Sequence, residues 1–184
     1  LDKNIKLVDH TVVKAEAAAQ SQSDPVVFGT EQTRHRTEAE CLGRHSRIEV
    51  CGVTEASGSQ KQEFQISAVH RVPDTSSQVD FRAVASGAAK VVFNGHLVIT
   101  ETALRTKAHQ KNRNLILSRT ASVDTFPKLD IATDEVECSH GASVSPVSID
   151  QLYYLESRGI EPSEAERMIV LGFIESVLNL IPKL

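Results

Sequence analysis

The sequence contains no tryptophan, and only 4% of its residues are aromatic. It therefore lacks the stacking platforms on which single-stranded nucleic acid is held. It also lacks a basic surplus. Twenty Lys and Arg stand against twenty-four Asp and Glu, a formal charge of −4, whereas a nucleic-acid face needs clustered positive charge. Cysteine is scarce and odd in number. Cys41, Cys51 and Cys138 make no C-x-x-C, so neither a disulfide framework nor a zinc knuckle is indicated, and a reducing compartment is the simplest reading. No apolar run reaches the length of a bilayer span. The most apolar stretch, 170–180, is interrupted by Glu175 and Asn179.

Chemical signatures are missing too. There is no G-x-S-x-G, H-E-x-x-H, P-loop or G-x-G-x-x-G. This points away from an enzyme, and any use of ATP would belong to another chain. The first six residues offer neither an initiator Met nor an apolar leader and read like the middle of a strand. A piece of a longer protein is the expectation.

What is present is ordinary globular material. Hydrophobic residues make up 40% and charged residues 24% of 184, enough for one domain with a real core and a small appendage. Up to about residue 147 short apolar runs alternate with polar turns. Candidate strands are 5–8, 26–28, 48–53, 64–69, 79–84, 91–93, 97–100, 115–117, 129–131 and 136–138, several with clear period-two alternation. The Ala-rich segment 12–20 could be misread as helix, but no helix is expected before residue 147. Many short strands fit a sandwich, a barrel or a β-helix, and periodicity does not choose among them. Asn94-Gly95 between two apolar runs is a hairpin signal and taken alone favours an antiparallel answer.

After residue 147 the period becomes helical. Ser148 with Gln151 fits a capping box, followed by Ile149, Leu152, Tyr153 and Leu155 at helical spacing. Gly159 suits the end of that helix and Pro162 the first turn of a second, with Glu161 or Ser163 as its cap and Ser163 with Glu166 as another capping box. Ala165, Met168, Ile169, Phe173, Ser176, Val177 and Leu180 line one face of this second helix. That face either packs on the β body or docks a partner, and packing is the default use of such a stripe.

One constellation draws attention as chemistry. Cys138 and His140 lie two residues apart, so in a strand they share a face. A thiol beside an imidazole suits iron or another borderline metal. The plainer reading is a buried Cys with a hydrogen-bonded His, and spacing alone favours it. Cys41 and Cys51, with His35 and His45 nearby, would make a site only if the fold gathered them. His10, His70, His96 and His109 have no ligand spacing, and Asp130, Asp134, Glu135 and Glu137 read as a solvated edge. Asn112 and Asn114 fit either a turn or a polar ladder between stacked coils.

Five segments together resemble one family. Val91-Val92-Phe93-Asn94-Gly95 is similar to its "VFNG" strand and turn. The run from Asn112 to Ser118 is similar to "NxNLLLS", and that from Val123 to Ile131 to "VDTKPxLEI". Asp134 to Ala142 resembles "DDVKCSHGA", and Gln151 to Ile160 resembles "QLFYLRSRGI". The order and the roughly 70-residue span resemble the SufB/SufD family of iron–sulfur cluster assembly scaffolds, and the Cys-Ser-His-Gly run resembles its SufD branch. Phe126 and Ser143 depart from the family's usual residues, and residues 1–90 match it only in length and strand rhythm.

The resemblance implies a mainly β fold: a right-handed parallel β-helix over 1–146, truncated at its N-terminal side, followed by a C-terminal helical hairpin over 147–184. Asn94-Gly95 would then be a turn between coils. It implies a non-catalytic subunit that pairs with a SufB-type paralogue through the β-helix and docks a SufC-type ATPase through the C-terminal helices. ATP binding by the SufC-type chain would rearrange the pair and expose the assembly site. A transient iron–sulfur cluster would sit at the SufB-type interface with His140, and more weakly Cys138, as metal ligands. No nucleotide, nucleic acid or membrane would be bound by this chain. Its place would be the cytoplasm, or the plastid stroma in a photosynthetic eukaryote. A carbohydrate-binding or carbohydrate-active β-helix module is the rival reading.

Overall fold

The structure is a computed structural model and describes residues 6–28 and 31–179. Two parallel sheets face each other. In the first, β1 (Lys6–Ala15), β4 (Gln32–Cys41), β6 (Lys61–His70), β8 (Lys90–Ile99) and β10 (Ser122–Ile131) lie in that order. In the second the order is β2 (Gln20–Ser23), β5 (Arg47–Ala56), β7 (Ser76–Ala85), β9 (Thr106–Ile116) and β11 (Val136–Pro146), with β3 (Val26–Phe28) also on β5. With β2 and β3 counted as one interrupted rung, successive strands of the chain alternate between sheets, so each coil contributes one rung to each, and five coils stack as a parallel β-helix.

The repeat is visible in the register. Gln32 lies beside Lys61 and Lys61 beside Lys90. Corner contacts such as Arg44–Asp74 and Arg105–Asp74 join residues 30 and 31 apart. At one corner Ala18, His45, Asp74 and Arg105 all have left-handed φ, between 55° and 61°. Each donates its N–H to the next coil: Ala18 to the Arg44 carbonyl, His45 to Asp74, Asp74 to Leu104 and Arg105 to Glu135. The corner thus satisfies backbone donors that an isolated turn would leave to solvent.

Alternation puts every second residue into the lumen. In β6 Phe64, Ile66 and Ala68 are buried, and in β8 Val91, Phe93, Leu97 and Ile99. Phe64, Phe81 and Phe93 stack along the axis with ring centroids 4.6 and 4.8 Å apart. β4 obeys the same rule with Thr33, His35, Thr37, Ala39 and Cys41 inward. It was absent from the expected strands because its inward residues are small or polar.

Apart from the short β2 and β3 the strands are ten or eleven residues long, and several expected short runs are parts of one strand. The runs 91–93 and 97–100 belong to β8. Asn94-Gly95 therefore lies in mid-strand, paired with Gln65-Ile66 on one side and Phe126-Pro127 on the other. It is neither the hairpin that its composition signals nor the inter-coil turn that the resemblance implies. The glycine lets another side chain approach closely: a Cβ there would fall 2.1 Å from the end of the Gln110 side chain, which would have to swing away. The 12–20 segment holds no helix, as expected, and is strand, turn and strand. Asn112 and Asn114 lie within β9 rather than ahead of it. They build the polar ladder, donating to the carbonyls of Phe81 and Ser143 in the flanking coils.

Two helices follow, α1 (Ile149–Glu156) and α2 (Pro162–Leu178). Ser148 caps α1 by accepting from the Gln151 N–H, and Pro162 opens α2 after Glu161, whose side chain makes no cap bond. Of the expected apolar face, Ala165 and Val177 are buried, whereas Met168 is 43% exposed, and Leu180 lies outside the described residues. The face that packs is Val170, Phe173, Ile174 and Val177. It lies on the outside of the second sheet against Cys51, Val53, Val84 and Leu115. The default reading of that stripe, burial on the β body, is the correct one for these residues.

Candidate functional site

The last coil is the place where the stacking stops. β10 and β11 each form one edge of their sheet, opposite β1 and β2, and are paired on one side only among the described residues. Long unpaired edges are templates for another chain. Pro127 in mid-β10 is compatible with an edge and would not be with a central strand.

Cys138 and His140 both lie on β11. Their neighbours on β9, Ala108 and Gln110, are buried in the lumen, so the register places both on the lumen-facing column at the open end. Cys138 is half-buried against the core. Burial pushes its thiol up, opposed by a backbone hydrogen bond with Ala108 and reinforced by Glu137. His140 is exposed. Beside it, a Cβ at Gly141 would meet nothing within 4 Å. Ser139 points to the other face, where its hydroxyl lies 2.8 Å from His109 Nδ1. The structure thus brings the thiol and imidazole to one open face. No three His, Cys, Asp or Glu residues gather as a metal site among the described residues. The chemistry of the donor pair fits iron, but two donors are fewer than the four that commonly hold an Fe–S cluster.

The other candidates are dispersed. Cys41 faces the lumen, whereas Cys51 lies under α2, where burial and then Asp24, Glu49 and Asp80 push its thiol up to about 12. His35 bridges the Asp9 carboxylate at 3.0 Å and the Thr37 hydroxyl at 2.9 Å. His70 bridges Thr75 and Ser77, both at 2.8 Å. These are satisfied interior histidines. Asp130 pairs with His96 and Lys128, Glu135 with Arg105 and Glu137 with Lys107, the solvated edge expected of them.

Sequence reasoning missed a buried ionic contact under α2. Arg82 and Asp80 are each 6% exposed, with Nε and Oδ1 3.6 Å apart. The Arg82 guanidinium donates to the Phe173 carbonyl and Ser176 hydroxyl and lies 5.0 Å from the Phe173 ring centre. Burial lowers its pKa, with Asp80 opposing. Nothing local in the sequence marks this pair, because the helix that covers it comes some 91 residues later.

The fold and this open face define a parallel β-helix protein whose terminal coil presents sulfur and imidazole donors at an unpaired edge. The chain belongs to the SufB/SufD family: the family model described as SUF system FeS cluster assembly, SufBD core domain, matches residues 1–173. It is 30% identical over 157 residues to an iron–sulfur cluster assembly SufBD family protein of Synechocystis, covering 85% of this chain and 35% of that one. A SufBD family protein of Mycobacterium tuberculosis is 32% identical over 169 residues, 92% of this chain and 20% of its own. The iron–sulfur cluster assembly protein SufD of Escherichia coli is 30% identical over 151 residues, 82% of this chain and 36% of its own. The chain thus spans between a fifth and about a third of these relatives. The carbohydrate reading finds no support in this membership. No helix among the described residues is long and apolar enough to cross a membrane.

Proposed function

We propose that this chain is the core of a SufD-type, non-catalytic scaffold subunit acting in the cytoplasm, with residues 1–146 as β-helix and 147–184 as helical appendage. It pairs with a SufB-type paralogue through the open edge of the final coil. It holds a nascent iron–sulfur cluster there as transient cargo, with His140 as a ligand and Cys138 as the weaker candidate. The observation that carries this reading is the half-complete donor set on an unpaired edge: exposed His140 and half-buried Cys138 on β11, with no third donor from the described residues. A neutral imidazole ligates iron less tightly than a thiolate does, which suits a site that must release its cargo.

The helices supply the second surface. Ile149, Tyr153, Tyr154, Met168 and Leu171 are exposed, between 40% and 81%. They remain uncovered after α2 has spent its other face on the sheet, and a SufC-type ATPase docks there.

The test is anaerobic co-purification of the full-length protein with SufB-type and SufC-type partners, following complex mass and bound iron, with His140→Ala alongside. The expected result is an intact complex that loses most of its iron in the variant. Unchanged iron would remove His140 from the ligand set. Absence of any complex from well-folded chains would overturn the scaffold reading.

A further inference from the structure

One lumen column changes character along the stack. Ser23, Val50, Val79, Gln110 and His140 are successive neighbours in register, with a small hydroxyl in the first coil, apolar side chains in the second and third, and polar ones in the last two. Gln110 is 1% exposed, and neither its Oε1 nor its Nε2 has a hydrogen-bond partner. Burying an unpaired amide is costly, and a Met or Leu would fill the space with no polar group to satisfy. The fold nonetheless makes room for it. A Cβ at Gly95, on the opposite sheet, would fall 2.1 Å from Nε2 and 2.6 Å from Oε1, so the carboxamide crosses the lumen and lies against the Gly95 backbone.

We infer that Gln110 is a positioning residue for His140, an inference that rests on the ligand role given to His140 above. His140 is its immediate neighbour toward the open end, on the same column. The exposed ring is free to turn, and its N–H can donate to Gln110 Oε1. That bond fixes one tautomer and aims the other ring nitrogen, with its lone pair, out of the coil toward the cargo. An acceptor behind the ring is the usual way in which a metal-binding histidine is oriented. Gly95 is the third member of the device, since it holds the space in which the amide lies.

The experiment uses the full-length protein in its complex, with histidine ring nitrogens labelled with ¹⁵N, and reads tautomer and iron separately. In the iron-free protein His140 is expected in one tautomer. Gln110→Met, which keeps the volume and removes the acceptor, gives a tautomer mixture and lowers iron affinity about tenfold or more. Gln110→Glu restores the single tautomer. A mixture already present in the unsubstituted protein overturns the inference, even if the variants fail to fold. An unchanged tautomer in Gln110→Met also overturns it, and if His140→Ala still loses iron the ligand reading stands without it. If His140→Ala keeps its iron the ligand reading fails, and the tautomer shift in Gln110→Met still supports the contact.

Discussion

Two glycines make room in the lumen, and they make it for opposite things. A Cβ at Gly52 would lie 2.5 Å from the Phe81 ring, and one at Gly95 would lie 2.1 Å from the Gln110 amide. The first notch admits an aromatic that stacks between Phe64 and Phe93. The second admits a polar group with no partner. The same device serves stability in the middle coils and is left open to chemistry at the end, where no further coil covers the column. The largest test of this contrast is Phe81→Ala. It empties a fully buried site between two rings and is expected to cost about 4 kcal/mol, read as a lower midpoint in chemical denaturation. A loss below about 1 kcal/mol would mean that the notch had collapsed and the middle coils are as loosely built as the last.

The outer face of the second sheet sharpens the comparison. There Arg82 joins β7 to α2 through the Phe173 carbonyl and the Ser176 hydroxyl. Arg82→Ala leaves Asp80 charged beneath the helix without its counter-ion, and removing one partner of a buried pair costs about 3 kcal/mol or more. The strain is relieved by lifting α2, so the expected signature is faster proteolysis within 162–178 while the β-helix survives. Global unfolding with no selective cleavage would show that the helix and coils are one cooperative unit.

His70 gives the pH dependence of the middle coils. Burial lowers its pKa from 6.5 to about 4, and both ring nitrogens are engaged by Thr75 and Ser77. The unfolded chain therefore binds the proton more readily than the native one. The stability is full above about pH 6.5 and is lost as pH falls from there toward 4, by up to about 3 kcal/mol. His35 shifts in the same direction, mainly by burial, with Asp9 opposing. Unfolding free energies measured across this window should flatten in His70→Gln. An unchanged slope would assign the acid sensitivity to other groups.

How much of this was legible follows from what each strand shows outward and inward. Phe64-Gln65-Ile66 and Val79-Asp80-Phe81 announce strands because their inward residues are apolar. β4 announces nothing, since Thr33, His35 and Thr37 are inward and look like loop. The apolar runs were short because polar positions such as Asn94 and His96 break strands that the backbone does not break. Composition at Asn94-Gly95 signalled a turn, where the glycine instead lies in mid-strand against a side chain from the opposite sheet. Cys138 and His140 could be placed on one face from spacing alone, but only the stacking of coils tells that this face is the open end. Gln110 sits in the polar run His109-Gln110-Lys111-Asn112, and nothing local separates it from its solvated neighbours. Its importance lies in register with Val79 and His140, a relation between residues 30 or so apart in the chain.

The smallest expected effect on stability belongs to the residue expected to matter most for cargo. His140 is exposed, on an edge strand with one paired neighbour, so truncating it forfeits at most the one hydrogen bond inferred to Gln110, about 1 kcal/mol. His140→Ala should therefore unfold close to the denaturant midpoint of the unsubstituted chain, while Phe81→Ala unfolds far below it. That separation is what makes the iron measurement interpretable: a loss of iron at unchanged stability can be assigned to the missing imidazole. If His140→Ala instead cost as much as an interior histidine, the ring would be holding the last coil together. The contrast between a structural middle and a functional end would then fail at the residue chosen to represent it.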